Sequence, residues 1–275
     1  MRIAIVQTTT GIDPAANAAQ LSDSIAQAAA QGAQMVFTPE MSGLLDRDRE
    51  RAAGNIVAEY DDRVLATVRE AARAGGVWVS LGSLAIRRPD GMLANRSFMI
   101  DADGAIRARY DKMHLFDVDL PTGERWRESA TYASGARPVS VETPVGLVGL
   151  TICYDLRFPD LYRSLTDAGA TVLSIPAAFT RPTGSAHWHV LLRARAIEAG
   201  VFVVAAAQTG THEDGRETYG HSLVIDPWGE VLLDAGEEPG VHIVDVEPDR
   251  VAEVRGRVPA IRHRRAIGAV SRVAR

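Results

Sequence analysis

Along the chain, short apolar runs alternate with segments whose apolar residues recur every three or four positions. Residues 2–7 read as a strand. Residues 14–31 put Ala18, Leu21, Ile25 and Ala28 on one face, the period of a helix, with Gly32 at its end. A strand at 34–38 follows, then a helix at 61–74 stopped by Gly75-Gly76 and a strand at 77–83. Three hairpins are expected, joining 96–101 to 105–110, 139–143 to 147–154, and 222–226 to 230–234. Between them, 159–168 reads as a helix opened by Pro159, 171–176 as a strand, 187–199 as a helix and 201–208 as a strand. The last strand is 241–246. Crossover helices mixed with hairpins imply mixed sheets. Strands 77–83 and 201–208 are apolar on both faces, so both are expected to be covered on both sides. Helices outside stacked sheets satisfy this, giving one layered α/β domain over residues 1–265. The tail 266–275 has little periodicity and is expected to be mobile. No repeat or linker divides the chain.

Composition narrows the function. The chain has 275 residues, 46% hydrophobic and 24% charged, ordinary for a globular protein. A net charge of −5 gives no reason to expect a nucleic-acid partner. No stretch approaches the ~20 apolar residues of a membrane helix, and the apolar run at 3–6 is too short for a signal peptide. A cytoplasmic protein without a membrane partner is expected. The single cysteine, Cys153, excludes an intramolecular disulfide and a cysteine-rich zinc site.

Cys153 closes an apolar run and is followed by Tyr154-Asp155-Leu156-Arg157-Phe158-Pro159. A strand that turns sharply into a helix there projects the thiol from the sheet rim, with the Tyr154 N–H beside it as an oxyanion donor. Taken alone, this segment fits a small buried hydrophobe better, since that is the commonest state of a free cysteine. None of the seven histidines is spaced to mark it as the activating base, and His187 and His189, two apart on a helix, face different ways. Glu40 stands just past the strand at 34–38, and Lys112 at the end of a hairpin strand. Each alone reads as a charged strand cap.

Together, Thr38-Pro39-Glu40, Asp111-Lys112-Met113-His114-Leu115-Phe116-Asp117 and Ile152-Cys153-Tyr154-Asp155-Leu156-Arg157-Phe158-Pro159 resemble the nitrilase superfamily of carbon–nitrogen hydrolases. The resemblance runs from Arg2 to about Arg265. It implies a four-layer αββα sandwich with two mixed sheets, a homodimer or higher homo-oligomer, and no cofactor or metal. It also carries over Glu128, from Arg127-Glu128-Ser129, as a second active-site glutamate. Asn95 is carried over although Ala94 replaces the usual aromatic beside it, and Phe179 and Thr180 as pocket residues. The segments 203–210 and 219–222 look most like the branch of deaminated glutathione amidases and omega-amidases.

The residue types suit amide hydrolysis, which needs a nucleophile, a proton shuttle and oxyanion stabilisation. Cys153 is the expected nucleophile and Glu40 the base. Lys112 and the Tyr154 N–H are the expected oxyanion donors, with Glu128 orienting the lysine or the water. The expected reaction converts the carboxamide of a small linear acid, deaminated glutathione or 2-oxoglutaramate-like, into carboxylate and ammonia through a thioester. An N-carbamoyl amide hydrolase or a nitrilase would use the same groups. A non-catalytic scaffold or thiol redox sensor is the alternative of another class. Arg193 and Arg195 are expected in structural ion pairs, and the basic run Arg262-His263-Arg264-Arg265 as a solvated or salt-bridged segment.

Overall fold

The computed structural model describes residues 1–119, 123 and 125–273. In its first part, β1 (Arg2–Gln7), α1 (Pro14–Ala30), β2 (Met35–Phe37), α2 (Arg49–Ala53), α3 (Arg63–Gly75), β3 (Trp78–Arg87), β4 (Leu93–Ile100) and β5 (Ile106–Asp111) follow in turn. A ribbon of β6 (Asp117–Asp119) and β7 (Arg125–Arg127) leads on to β8 (Val139–Thr143), β9 (Gly146–Leu150), α4 (Pro159–Asp167), β10 (Val172–Ser174) and α5 (Arg181–Ala199). The chain continues through β11 (Phe202–Ala205), β12 (Thr209–Thr211), β13 (Glu217–Tyr219), β14 (Leu223–Ile225), β15 (Val231–Asp234), β16 (Gly240–Asp245) and α6 (Arg250–Arg257).

Two six-stranded mixed sheets carry the fold, in the orders β16-β1-β2-β3-β4-β5 and β15-β14-β11-β10-β9-β8. Side chains alternate across a strand, and the burial follows that period. Ile3, Ile5, Met35 and Phe37 join Val148, Leu150, Leu173 and Val203 of the second sheet in one core. Ala4, Val6, Val36, Val79 and Leu81 face the other way, onto Leu21 and Ile25 of α1 and Val64 and Val68 of α3. Helix α5 contributes Trp188, Leu192 and Ala196 to the first of these cores, and α4 contributes Leu161 and Leu165. The expected αββα layering is therefore present. The helix starts are set locally: Asp13 accepts the Ala15 N–H at 2.8 Å for α1 and Asp62 the Leu65 N–H at 2.8 Å for α3.

Several boundaries differ from the pattern reading. Helix α5 starts at Arg181, six residues before the expected 187, because Thr180 and Pro182 open a turn that the polar sequence hides. The strand expected at 147–154 ends at Leu150, and a 3-10 turn takes over at Cys153. Strand β3 runs on to Arg87 and pairs with β4 as far as Leu93, with a register break between Leu81 and Leu84. The small pieces α2, α6, β6–β7 and β12–β13 were not expected. Strands of three residues are too short to show a period. Residues 264–273 form no helix or strand. No helix among the described residues is long and apolar enough to cross a membrane.

Candidate active site

Three strand ends deliver the reactive groups to one place. The turn after β2 carries Glu40. Thr38 and Pro39 press their carbonyls so close to Gly82 that a Cβ there would sit 2.2 Å from each oxygen. Only glycine lets β3 pass. Ser83 holds the turn by accepting the Met41 N–H at 2.9 Å, and the Gln208 side chain donates to the Glu40 carbonyl at 3.0 Å. Lys112 follows β5 directly. Its N–H donates to the Asn95 carbonyl on β4 at 2.9 Å, and its own carbonyl accepts the Gly135 N–H at 2.8 Å. A side chain at Gly135 would collide with the Asp111 carbonyl, 2.0 Å from the Cβ position.

Cys153 is aimed by its backbone. Ile152 is extended, and Cys153 turns into the left-handed region at φ 48°, uncommon for a residue with a Cβ. Its N–H is tied to the Pro176 carbonyl at 2.8 Å. The turn is closed by Asp155, which is fully buried. One carboxylate oxygen accepts the Ile152 N–H at 2.9 Å and the Tyr110 hydroxyl at 2.7 Å. The other accepts the His114 N–H at 3.0 Å and its ring Nδ1 at 2.7 Å. Asp155 thus fastens the cysteine turn to the segment that carries Lys112.

The groups meet around the lysine. Lys112 Nζ donates to Glu40 Oε1 at 2.9 Å and to Glu128 Oε2 at 3.0 Å. Asn95 Nδ2 donates to Glu40 Oε1 at 3.0 Å and to Glu128 Oε1 at 3.1 Å. Glu40 Oε2 accepts the Ala178 N–H at 3.0 Å, and Glu128 Oε2 the Phe116 N–H at 2.7 Å. Asn95 Oδ1 is buried and has no partner among the described residues.

Burial works against the Glu40 anion, but the Lys112 charge and hydrogen bonds from Cys153, Lys112 and Asn95 outweigh it. Its pKa falls below the ordinary carboxylate value. Burial also opposes the Lys112 cation. Glu128 and Glu40, with Cys153, more than offset this and hold the ammonium charged well above its usual range. The Cys153 thiol moves well up, chiefly through burial and the Glu40 charge, with Lys112 opposing. At neutral pH the cluster is a thiol beside a carboxylate, with an ammonium between two carboxylates.

This cluster opens into a cavity of about 710 Å³. Glu40, Asn95, Lys112, Glu128, Cys153, Tyr154, Phe179 and Thr180, all singled out from the sequence, line it. Ala94 does not. It is buried opposite Ile86 in the β3–β4 pairing, so the missing aromatic leaves no extra room in the cavity. Phe179 packs on Trp188, ring centroids 4.9 Å apart, and the Arg157 guanidinium lies 5.5 Å from the Phe179 ring centre. Arg157 belongs to the cysteine motif, and nothing in its spacing marks it as a cavity residue. Asp155, Gly82 and Gly135 were missed because their partners are distant in sequence.

The other sequence candidates lie elsewhere. Arg195 pairs with Glu198 at 3.0 Å, Arg193 donates to the Gly229 carbonyl at 2.9 Å, and Arg264 bonds to Asp167 and Thr166. His187 and His189 do diverge, His187 towards Arg157 and His189 towards Asp234. Among the described residues, one histidine–carboxylate group is close enough to hold a metal, His189 and His221 meeting on Asp234. The two rings donate to that carboxylate at 3.0 and 2.8 Å, and none of the three residues lines the cavity.

Residues 2–256 match the model of the carbon–nitrogen hydrolase family. A deaminated glutathione amidase from Synechocystis is 41% identical over 268 residues, covering 95% of this chain and 97% of its own. The structure of the C. elegans NitFhit protein superposes with a TM-score of 0.89 at 39% identity. That match spans 96% of this chain and 65% of the other. An amidase from Nesterenkonia superposes with a TM-score of 0.79 at 28% identity, over 94% of this chain and 98% of that one. Its active-site cysteine carries the result of Michael addition of acrylamide.

Proposed function

The chain belongs to the carbon–nitrogen hydrolase family and hydrolyses amides, and we propose that Cys153 is its nucleophile, Glu40 its proton shuttle and Lys112 its oxyanion stabiliser. The observation that carries this reading is the Lys112 ammonium held between the buried Glu40 and the half-buried Glu128 carboxylates beside the only thiol. Cys153 Sγ attacks the amide carbon while Glu40 takes the thiol proton. The oxyanion is met by Lys112 Nζ and the Tyr154 N–H, where one such donor is commonly worth about 10²–10³ in rate. Glu40 returns the proton to the departing nitrogen, leaving a thioester. Water then attacks the thioester with Glu40 again as base, and Sγ leaves as the thiol. Glu128 keeps the lysine charged and in place.

The substrate we propose is the amide of a small linear acid, deaminated glutathione or 2-oxoglutaramate-like. The leaving group is ammonia from a primary carboxamide such as 2-oxoglutaramate, and an amine from deaminated glutathione, whose amide nitrogen is substituted. The cavity supports an anionic substrate. Eight basic side chains line it against three acidic ones, although the whole chain is net negative. Arg157 faces no carboxylate among the described residues and is the proposed anchor for the acid group. A redox sensor would need an exposed, readily ionised thiol; burial and a raised pKa argue against one here.

A panel of 2-oxoglutaramate, deaminated glutathione, a carbamoyl amino acid and a nitrile tests the substrate. Intact mass under turnover tests the thioester. Hydrolysis of the first two, with an acyl adduct on Cys153, is expected. Hydrolysis of only the carbamoyl compound or the nitrile would replace the substrate assignment. We place the enzyme in the reducing cytoplasm as a homodimer. Val190 and Ile197 on α5 are exposed beside Trp228, Val231 and Leu232 at the β15 edge of the second sheet, an apolar face suited to a second copy. Light scattering reads the mass directly.

A further inference from the structure

Away from the cavity, α5 and the second sheet bring two imidazoles to one carboxylate. His189 Nε2 meets Asp234 Oδ2 at 3.0 Å and His221 Nδ1 meets Asp234 Oδ1 at 2.8 Å. The ligand atoms of the three residues all lie within 4.8 Å of one another. Three features set this group apart from an ordinary surface ion pair. No lysine or arginine pairs with Asp234 among the described residues, so with neutral imidazoles the group is a net anion. Each ring also keeps a second nitrogen, His189 Nδ1 and His221 Nε2, without a hydrogen-bond partner among the described residues. The N–H can shift to that nitrogen and leave a lone pair facing the carboxylate. Finally, the frame is fixed. Trp188, the neighbour of His189 on α5, is fully buried and donates its Nε1–H to the His221 carbonyl at 2.7 Å. The His221 N–H is held on the Gly236 carbonyl at 2.6 Å, with its backbone in the left-handed region at φ 53°, uncommon for a residue with a Cβ. Asp234 Oδ1 accepts the Gly236 N–H at 3.0 Å, and the Tyr219 ring stacks on His221 with centroids 4.5 Å apart.

We propose that His189, His221 and Asp234 form a zinc site, with His189 Nε2, His221 Nδ1 and an Asp234 oxygen as ligands and water completing the shell. Zinc takes imidazole nitrogen and carboxylate oxygen at about 2.0–2.2 Å. Ligand atoms must then come within about 4 Å of one another, a movement of under about 1 Å for side chains that are partly exposed. Two nitrogens with one carboxylate favour zinc over magnesium or calcium, which take oxygen ligands. Each ring keeps its proton on the outer nitrogen, so two hydrogen bonds to Asp234 are exchanged for coordinate bonds and no proton leaves the neutral rings. The ion ties α5 to the start of β14 and the end of β15. It stands apart from the amide chemistry, since none of its ligands lines the cavity. One side chain links the two places: Trp188, bonded to the His221 carbonyl, packs on the cavity residue Phe179.

The test uses the full, untagged chain carrying Cys153→Ala, so that the thiol cannot take the metal, after treatment with a chelator. Calorimetric titration with zinc should give a single site per chain. Zinc, and not magnesium, should raise the melting temperature, because the ion binds only the folded arrangement. His189→Gln and Asp234→Asn should each weaken zinc binding by at least the roughly 10-fold that loss of even a supporting hydrogen bond costs, and should abolish the melting shift. His187→Gln, on the same helix but directed towards Arg157, should change neither. Circular dichroism checks that the variants fold, and His189→Gln alters only a partly exposed helical side chain. Anomalous scattering from crystals soaked in zinc should place the ion among the three residues. No stoichiometric binding by the parent, binding that survives either ligand variant, or an ion found elsewhere overturns the site and leaves two histidines hydrogen-bonded to a carboxylate.

Discussion

The two ends of the cavity are built differently. At the reaction end, each carboxylate oxygen of Glu40 and Glu128 has a donor, and Glu40, Asn95 and Lys112 sit in or directly after strands of the first sheet. At the arginine end, the side chains come from α2, the β6–β7 ribbon and the segment joining β12 to β13, and several are exposed. Their ion pairs are with exposed or shared partners, as with Arg125 and Arg127 on Asp119. A buried charge cluster tolerates no loose member, because each removal leaves another charge uncompensated. Solvent-facing pairs contribute little to stability and can be exchanged. Glu40, Asn95 and Lys112 are thus held by the first sheet, and these arginines by its periphery.

Substitutions at the two ends should separate these roles. The largest effect is expected from Cys153→Ala, which should abolish turnover with an unchanged circular-dichroism spectrum; retained hydrolysis would remove the thiol from the mechanism. Lys112→Met comes next. It leaves Glu40 and Glu128 facing each other, so rate should fall by at least about 10²–10³ and stability by about 3–5 kcal/mol in denaturant titration. A stable Lys112→Met protein would mean that the carboxylates do not depend on the cation. Asp155→Asn cannot accept all four of the present hydrogen bonds, so stability should fall by about 1–3 kcal/mol. Its kcat should fall more than its KM rises, because the cysteine turn would be displaced. An unchanged kcat would show that the backbone alone sets the turn.

Acidity provides a gentler perturbation. Glu40 titrates below its ordinary value, so its contribution to stability is complete above about pH 4.5 and is lost as pH falls through the lower folded value. Lys112 has the opposite sign: its contribution is complete below about pH 10.5 and is lost as pH rises through the higher folded value. In melting curves across pH, Glu40→Gln should therefore remove the Glu40 share of the acid fall, and Lys112→Met the Lys112 share of the alkaline fall. In the cysteine turn, Arg157→Gln should raise KM for acid amides about 10-fold with little change in melting temperature. A fall in kcat with no change in KM would argue against substrate contact by Arg157.

The same division decides how much could be read in advance. Glu40 and Cys153 stand just past apolar runs and Lys112 at the end of an alternating hairpin strand, and their motifs are distinctive. The two sheets and α1, α3 and α4 follow the hydrophobic pattern for the same reason. Asp155 lay inside a quoted motif, but its importance comes from Tyr110 and His114, more than 40 positions earlier. Gly82 and Gly135 matter only because foreign carbonyls press on them. Arg49, Trp126 and Arg216, which line the cavity, were not singled out because the short elements around them carry no usable period.

The pairing of β1 with β16 has a consequence for synthesis. Arg2 lies opposite Asp245 and Gln7 opposite Gly240, so the first strand made is flanked by one of the last. The second sheet needs only residues 139–234 and can form while the ribosome is still working. The first sheet keeps an open edge at β1 until residue 245 has emerged, roughly 10–50 seconds after β1 itself at about 5–20 residues per second. During that interval an apolar strand has one edge of its backbone unpaired, the kind of edge that invites pairing with another chain.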